Sequence, residues 1–408
     1  MQTLHVKTPI ILLLSRDIIF LIFVVIGFIG VRLKKLQFIC GKYYSRVIKG
    51  IILFYLIYFV CIIPHFFCMK YRDIVQYDIR GLVFYLLIVF LLPIIFTNKK
   101  QIDNFFKYLL KLSLFFCVVV LIKRLCGWNI SWSGRAVGGM NDANNFGVFM
   151  TLPMFVIMSN WKNLNIYKYL NIILLFFALV LTSSVSAFMF FIVGAVFICF
   201  FMLKNKWLKI GASFIVILLL IYGIVFVDSI FKMKEQKVNF KNSVQREYST
   251  DIYLTDKINR MTQGGFKKVF CFYKDSNYQK KRTLDSLDSR VRQFSNFVFN
   301  NKAEVDKLAY KTYDGQYFNL YYNAGIGSII LFLVLFIYGG YTALSLWYRD
   351  NNKNALVIGS FIIALISVGW LSTAFLGRYP INFISYLLLC IVFMYKDLYY
   401  RKNYKEKT

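Results

Sequence analysis

Long apolar runs dominate this chain and decide what it can fold into. The longest run, residues 169–203, contains no charged side chain over 35 positions. As one helix it would be about 52 Å long, whereas a single membrane crossing needs only about 20 residues for a hydrocarbon core about 30 Å thick. The run therefore has to cross the membrane twice. Its polar segment 182–186, TSSVS, is the predicted turn between the two crossings.

Apolar runs of this kind recur along the chain. With 59% hydrophobic and only 17% charged residues, they predict an all-α, polytopic transmembrane helix bundle of about 11–12 spans rather than a water-soluble protein. The predicted spans lie near residues 9–31, 50–69, 81–98, 105–122, 145–160, 168–182, 187–203, 210–227, 324–347, 355–376 and 380–395. We expect three regions: N-terminal helices in 1–227, a large polar loop in 228–320, and C-terminal helices with a tail in 321–408.

The chain is strongly basic, and the positions of its charges indicate a membrane orientation. It has 49 Lys and Arg against 19 Asp and Glu, a net charge of +30. The basic residues sit in short clusters between apolar runs instead of covering one polar face, so the partner they predict is the lipid bilayer and not nucleic acid. Short segments on one side hold 22 basic residues and those on the other side hold 8. The positive-inside rule makes the tail cytoplasmic and sends the loop 228–320 outward.

No metal or cofactor site is predicted. The chain has two histidines and no CxxC pair, which weighs against a zinc site or haem attachment. A phosphate-binding GxxxxGK[ST] loop is also absent from the sequence.

The first candidate site is the segment 134–147, GRAVGGMNDANNFG, just before the fifth predicted span. Its glycines allow backbone N–H groups to approach an anion, an arginine offers a planar fork for phosphate oxygens, and Asn and Asp side chains suit sugar hydroxyls. The candidate substrate-binding residues are Arg135, Asn141, Asp142 and Asn144. The alternative is a tight turn in which Asn144 or Asn145 is the N-cap of the next helix.

The second candidate site is the segment 313–327, YDGQYFNLYYNAGIG, where the polar loop re-enters the membrane. Partial loss of hydration at the bilayer surface would make the carboxylate of Asp314 a stronger base, and it is the candidate catalytic residue. Tyr317 and Asn319 are candidate substrate-binding residues. The alternative is a solvated Asp-Gly turn followed by an interfacial belt of aromatic side chains.

Cationic side chains on the outward side form a third group. Arg290 and Arg292 lie on a predicted amphipathic helix within the loop, and Arg378 lies in a four-residue outer turn. The positive-inside rule does not account for an arginine in a short turn on the outer side, so Arg378 suggests an anionic partner. A contact with a lipid headgroup is the alternative.

Three motifs, GGMNDANNFG, LTSSVSA and DGQYFNLYYNAGIG in this order, resemble the bacterial O-antigen polymerase and O-antigen ligase superfamily over about residues 130–345. The resemblance implies a glycosyltransferase C-like membrane enzyme that uses undecaprenyl-pyrophosphate-linked oligosaccharide on the periplasmic face of the bacterial inner membrane, without a metal or other cofactor. It also implies a chain-length regulator and a flippase as possible protein partners.

The same resemblance separates two activities. Ligases of the superfamily have His at the start of the last motif, where this chain has Asp314, and the Asp-Gly-x-Tyr form is similar to that of polymerases. Many members have Ser-Arg at the hairpin, whereas this chain has Ser184-Val185, so Arg135 or Arg378 would have to replace that anion contact. We expect an O-antigen or capsule polymerase. A ligase that transfers polysaccharide to lipid A-core is the alternative, and a flippase for lipid-linked oligosaccharide is a weaker one.

Overall fold

The computed structural model describes residues 41–66, 89, 91–125, 143–160, 166–182, 184–202, 316–369 and 381–405. Within these ranges the chain is nearly all helical and contains no strand, which confirms the all-α class. The helices are α1 (Lys42–Phe66), α2 (Lys99–Leu125), α3 (Ala143–Met158), α4 (Ile166–Leu181), α5 (Val185–Met202), α6 (Gln316–Asp350), α7 (Lys353–Val368) and α8 (Ile381–Lys405).

Each of these helices coincides with one predicted span. α1, α2 and α6 contain segments long and apolar enough to cross a membrane by length and composition, namely Lys42–Cys61, Lys99–Ile122 and Ala324–Asp350. Of the predicted span near 81–98, residues 91–95 are helical. The predicted spans near 9–31 and 210–227 lie outside the described residues. A polytopic helical membrane protein is therefore what the structure supports.

The predicted turn in the long uncharged run is confirmed. α4 ends at Leu181 and α5 begins at Val185. Gly147 of α3 lies against Ala187 of α5, and Gly194 further along α5 lies against Phe155 of α3, so these two helices run parallel. Leu179, in the last turn of α4, also lies beside Gly147. α4 is thus antiparallel to α5, and the chain reverses its direction between them.

α7 is the centre of the bundle. It packs against α3, α5, α6 and α8, and apolar residues on every side of it are buried. A helix that is hydrophobic all round belongs in the interior of a bundle. By contrast, α6 exposes an apolar stripe at helical spacing: Ile326, Ile330, Val334, Ile337 and Tyr341. Because so long an exposed apolar face is unfavourable in water, this stripe fits contact with lipid.

One end of the bundle collects the short basic segments. Three polar contacts lie there: Lys99 Nζ to Asp350 Oδ2 at 3.3 Å, Lys353 Nζ to Asn160 Oδ1 at 3.1 Å, and Tyr395 Oη to Asp103 Oδ1 at 2.6 Å. We call this the basic end, defined by Lys99, Arg349, Lys353 and Lys396. The structure therefore groups on one side the starts of α2 and α7, the ends of α3 and α6, and the last turns of α8, as the charge distribution predicts.

The opposite end, which we call the distal end, is defined by the first turns of α3, α5 and α6 and the last turn of α7. α3 ends near Asn160 and α7 begins at Lys353, and these two residues are hydrogen-bonded at the basic end. The start of α3 and the end of α7 therefore lie at the distal end. α5 starts there because it runs parallel to α3, and α6 starts there because it finishes at Asp350. α5 thus ends at the basic end and α6 begins at the distal end. The predicted span near 210–227 falls in this interval.

α6 is interrupted by a kink near its distal end. Gly325 has φ 74° and ψ 176°, a conformation that is essentially restricted to glycine. The Ser328 hydroxyl lies 2.7 Å from the Gly325 carbonyl oxygen and 3.1 Å from that of Leu320, and it can donate to both. The helix begins at Gln316, so its first residues belong to the stretch assigned to the polar loop. The kink gives this first part of α6 a direction different from that of the membrane span.

Candidate functional site

The structure describes three of the predicted site residues. Asn144 and Tyr317 are described with their side chains, and Asn319 is described as a helical residue of α6. The others lie outside the described residues: Arg135, Asn141, Asp142, Arg290, Arg292, Asp314 and Arg378. The shared pocket of Arg135, Asp314 and Arg378 therefore stays a prediction.

The three sequence motifs share the distal end. The first motif ends in the first turns of α3, the second contains the first turn of α5, and the third contains the first turns of α6. The first two motifs are in direct contact, and the third contacts the last turn of α7, a helix that packs against α3, α5 and α6. Segments that are about 40 and 130 residues apart in the chain thus lie at one end of the bundle.

Hydroxyl and amide groups join α3 to α5 at this end. Ser184 is the N-cap of α5, because its Oγ accepts the backbone N–H of Ala187 at 3.2 Å. The same Ser184 hydroxyl donates to Asn144 Oδ1 of α3 at 2.6 Å and lies 3.2 Å from Ser186 Oγ. One serine of the LTSSVSA motif therefore caps its own helix and holds the first turn of α3 against it.

The alternative role of Asn144 and Asn145 as N-caps is wrong. α3 begins at Ala143, so both asparagines are inside the helix. An N-cap residue precedes the first helical residue and has extended backbone dihedrals, which a residue within the first turn lacks. Asn144 instead contacts the neighbouring helix through Ser184.

Asn145 differs from Asn144 in its surroundings. Its side chain is fully buried, and neither Nδ2 nor Oδ1 has a hydrogen-bond partner in the part of the chain that the structure describes. Sequence reasoning selected Asn144 as a substrate-binding residue and considered Asn145 only as a possible N-cap. A signal was present, since a second amide directly before the apolar run FGVFM has to enter the packed interior.

The first turn of α6 is joined to the last turn of α7. The backbone N–H of Gln316 donates to the Gly369 carbonyl at 2.7 Å, and the Tyr317 hydroxyl donates to the Ile366 carbonyl. Burial raises the pKa of Tyr317 to about 12, so the phenol stays protonated and remains a donor at physiological pH. A residue predicted to touch substrate thus uses its hydroxyl to satisfy a carbonyl at the end of α7.

Gln316 is a second residue that sequence reasoning missed. Its side chain is fully buried, and neither Nε2 nor Oε1 has a partner among the described residues. It follows the Asp-Gly pair of the third motif, where hydrophilic loop and apolar helix meet. The sequence does not indicate whether a glutamine at such a boundary faces solvent or the protein interior. Only the folded structure shows that Gln316 is buried.

The helix ends at the distal end carry partial charges of both signs. α3, α5 and α6 begin there, whereas α4 and α7 end there, and the first N–H groups of a helix are partially positive while its last carbonyls are partially negative. The carbonyls of α7 at Ile366 and Gly369 are occupied by hydrogen bonds from α6. What the described residues offer at this end is therefore a set of amide and hydroxyl groups.

Comparison with known proteins agrees with the motifs. A family model described as O-antigen ligase matches residues 170–294, less than a third of the 408-residue chain. The matched range includes the α4–α5 turn and excludes the motifs around Asn144 and Gln316. The match is consistent with the O-antigen polymerase and ligase superfamily and confirms the resemblance drawn from the sequence. No curated protein and no solved structure matches the chain.

Proposed function

We propose that this protein is a polymerase of undecaprenyl-pyrophosphate-linked O-antigen or capsule repeat units. The family that matches residues 170–294 covers both O-antigen polymerases and ligases, whose members are glycosyl-transferring enzymes. One observation carries the proposal: three separated motifs share the distal end, opposite the end where the basic residues gather. By the positive-inside rule the distal end faces the periplasm.

The distal end suits a substrate with a charged head and a sugar chain. The pyrophosphate is proposed to be bound by arginine side chains, and the amide and hydroxyl groups in the first turns of α3 and α5 suit saccharide hydroxyls. On the periplasmic face there is no nucleotide sugar, so the energy for transfer has to arrive in the substrate. The lipid-linked pyrophosphate supplies it as a leaving group.

The proposed reaction is a direct displacement. A hydroxyl oxygen of the incoming lipid-linked repeat unit attacks the anomeric carbon of the growing chain, and the bond from that carbon to the pyrophosphate oxygen breaks. Asp314 takes the hydroxyl proton as general base. Arg135, Arg290 and Arg378 bind the pyrophosphate and stabilise the negative charge that develops on it as it leaves. Arg292, Asn141, Asp142, Asn144, Tyr317 and Asn319 complete the proposed substrate-binding set.

The polymerase is favoured over the ligase because Asp314 stands where ligases of the superfamily have His. We also propose that no metal takes part, and that a chain-length regulator and a flippase work beside the enzyme in the bacterial inner membrane. A metal requirement would show as loss of activity in EDTA that divalent cations restore.

A chromosomal deletion separates the two activities. Loss of a polymerase leaves lipid A-core that carries a single repeat unit, whereas loss of a ligase leaves core without any O-antigen. For a capsule product, the deletion instead removes long surface polysaccharide while lipid-linked single units accumulate. Complementation with the wild-type gene should restore the normal chain lengths.

Asp314→Asn tests the catalytic base. The variant should be present in the membrane at the normal level but should make no long polysaccharide, because an amide cannot accept the proton. Asp306→Asn, in the same polar region of the sequence, is the matched control and should retain polymerisation. Normal chain lengths from Asp314→Asn would refute the proposed role of that carboxylate.

A further inference from the structure

Two fully buried side-chain amides lie at the distal end without hydrogen-bond partners among the described residues. They belong to Asn145 and Gln316, and in each the nitrogen and the oxygen are both unsatisfied. Buried polar groups in native proteins are almost always hydrogen-bonded, because an unpaired one lowers stability. Two such amides at one end of a bundle therefore need an explanation.

The two amides belong to helices that pack against the same element, α7. Asn145 follows Asn144, which is bound to the N-cap of α5, and its helix α3 packs against α7. Gln316 is held to the last turn of α7 by the hydrogen bond from its own backbone N–H to Gly369. One amide thus comes from the first motif and the other from the third, on helices that both contact α7.

We propose that Asn145 and Gln316 bind the saccharide of the lipid-linked substrate and help to determine which repeat unit is accepted; this inference rests on the function proposed above. A primary amide offers two donor hydrogens and an acceptor oxygen side by side, and a sugar hydroxyl both donates and accepts. Because the amides carry no charge, they match hydroxyls better than a pyrophosphate, which the arginines are proposed to bind. The bound sugar supplies the partners that the described residues do not.

Thr342 provides a control within the same helix as Gln316. Its hydroxyl is also fully buried and has no partner among the described residues. It lies eight residues before Asp350, so it is near the basic end of α6 and far from Gln316. An unsatisfied hydroxyl at that place should affect stability without any effect on substrate.

The experiment compares Asn145→Leu, Gln316→Met and Thr342→Val, which replace each polar group by an apolar one of similar shape. All three should raise the melting temperature of the purified protein in detergent, since each removes an unpaired buried polar group. Two probes are then bound: undecaprenyl pyrophosphate, and the lipid-linked repeat unit extracted from cells that lack this protein. Asn145→Leu and Gln316→Met should bind the repeat unit about tenfold more weakly than the wild type, with unchanged affinity for undecaprenyl pyrophosphate. Thr342→Val should bind both probes normally.

Several results would overturn the inference. One is wild-type affinity for the repeat unit in both amide variants, and another is a wild-type protein that binds the two probes equally well. Lower melting temperatures in both isosteric variants would mean that the amides are satisfied in the free protein, for example by water. If an isosteric variant cannot be purified, Asn145→Ala or Gln316→Ala replaces it in the binding comparison.

The same experiment separates this inference from the proposed function. In one outcome the wild type prefers the repeat unit over the bare carrier, the amide variants lack that preference, and the wild type forms no polymer. This outcome would support saccharide binding and refute the polymerase. In the other outcome the two amide variants polymerise the repeat unit as well as the wild type does, which would support the polymerase and refute the role of the amides.

Discussion

Asp397 of α8 caps the first turn of α1, and this contact yields the sharpest stability prediction. Its carboxylate oxygens accept the backbone N–H groups of Tyr43 at 3.1 Å and Tyr44 at 2.9 Å. Gly41, at the N-cap position of α1, has no side chain to satisfy them, so the cap comes from a helix more than 350 residues further along the chain. The carboxylate is only 7% exposed and also faces the positive end of the α1 dipole.

We expect Asp397→Ala to lower the free energy of unfolding by about 2–3 kcal/mol. A hydrogen bond to a charged group contributes about 1.5–3 kcal/mol and loss of an N-cap about 0.5–2 kcal/mol, and the two effects overlap here because the same N–H groups are involved. Asp397→Asn keeps one acceptor oxygen and loses the charge, so its effect should be smaller.

Gly41→Ala makes the prediction specific to this contact. A methyl group added at Gly41 would overlap the Asp397 carboxylate, so the substitution should displace the carboxylate and cost about as much as Asp397→Ala. In the Asp397→Ala background the three overlapping carboxylate atoms are absent, and Gly41→Ala should cost much less. The double variant is therefore expected to be about as stable as Asp397→Ala alone, which is a coupling of about 2 kcal/mol.

The assay is reversible unfolding of the four proteins in mixed detergent micelles, followed by circular dichroism. Gly340→Ala is the glycine control, because an added methyl there would make only an ordinary contact with Ile362, at 3.5 Å. Additive losses in the double variant, or a Gly41→Ala protein as stable as the wild type, would refute the proposed capping geometry.

Three further substitutions test other parts of the distal end by thermal unfolding. Gly325→Ala should cost about 1–3 kcal/mol, because its positive φ is unfavourable for a residue with a side chain, whereas Gly327→Ala should be tolerated since no described residue lies within 4 Å of the added methyl; equal effects would contradict the kink. Ser184→Ala should cost about 1 kcal/mol through loss of the N-cap, and Ser184→Thr should retain most of it. Tyr317→Phe should cost about 1 kcal/mol at neutral pH. The pKa of Tyr317 is raised from 10 to about 12, so the stabilisation is complete below pH 10 and is lost between pH 10 and 12; a difference between Tyr317→Phe and the wild type that stays constant across this range would contradict it.

The sequence predicted the helices well because hydropathy is a local property. A span needs a run of apolar residues, and the break at residues 182–186 follows from the length of the run alone. Charge clusters predicted which segments share an end, since the excess of Lys and Arg on the cytoplasmic side is found in short loops, which are visible in the sequence. The hydrogen bonds at the basic end bear out that grouping.

The candidate site was predicted less completely because its geometry depends on contacts between distant segments. Asn144 and Asn145 have the same side chain and adjacent positions, yet one is bound to Ser184 and the other is buried without a partner. Successive residues of a helix point in directions about 100° apart, so Asn144 and Asn145 face different neighbours. Which neighbour each one faces depends on how α3 packs in the bundle. Gln316 was missed for a related reason: the helix it starts reaches further into the polar stretch than hydropathy indicates.

The shortness of α7 has a consequence for water at the proposed site. Its 16 residues span about 24 Å, whereas the hydrocarbon layer is about 30 Å thick. If Lys353 lies at one membrane surface and α7 runs straight across the layer, its last turn lies about 6 Å below the other surface. For the proposed polymerase, the head group of the carrier would then enter from the side while its tail stays in the lipid. Few water molecules would compete with a sugar hydroxyl at that depth, which would favour transfer over hydrolysis of the activated chain.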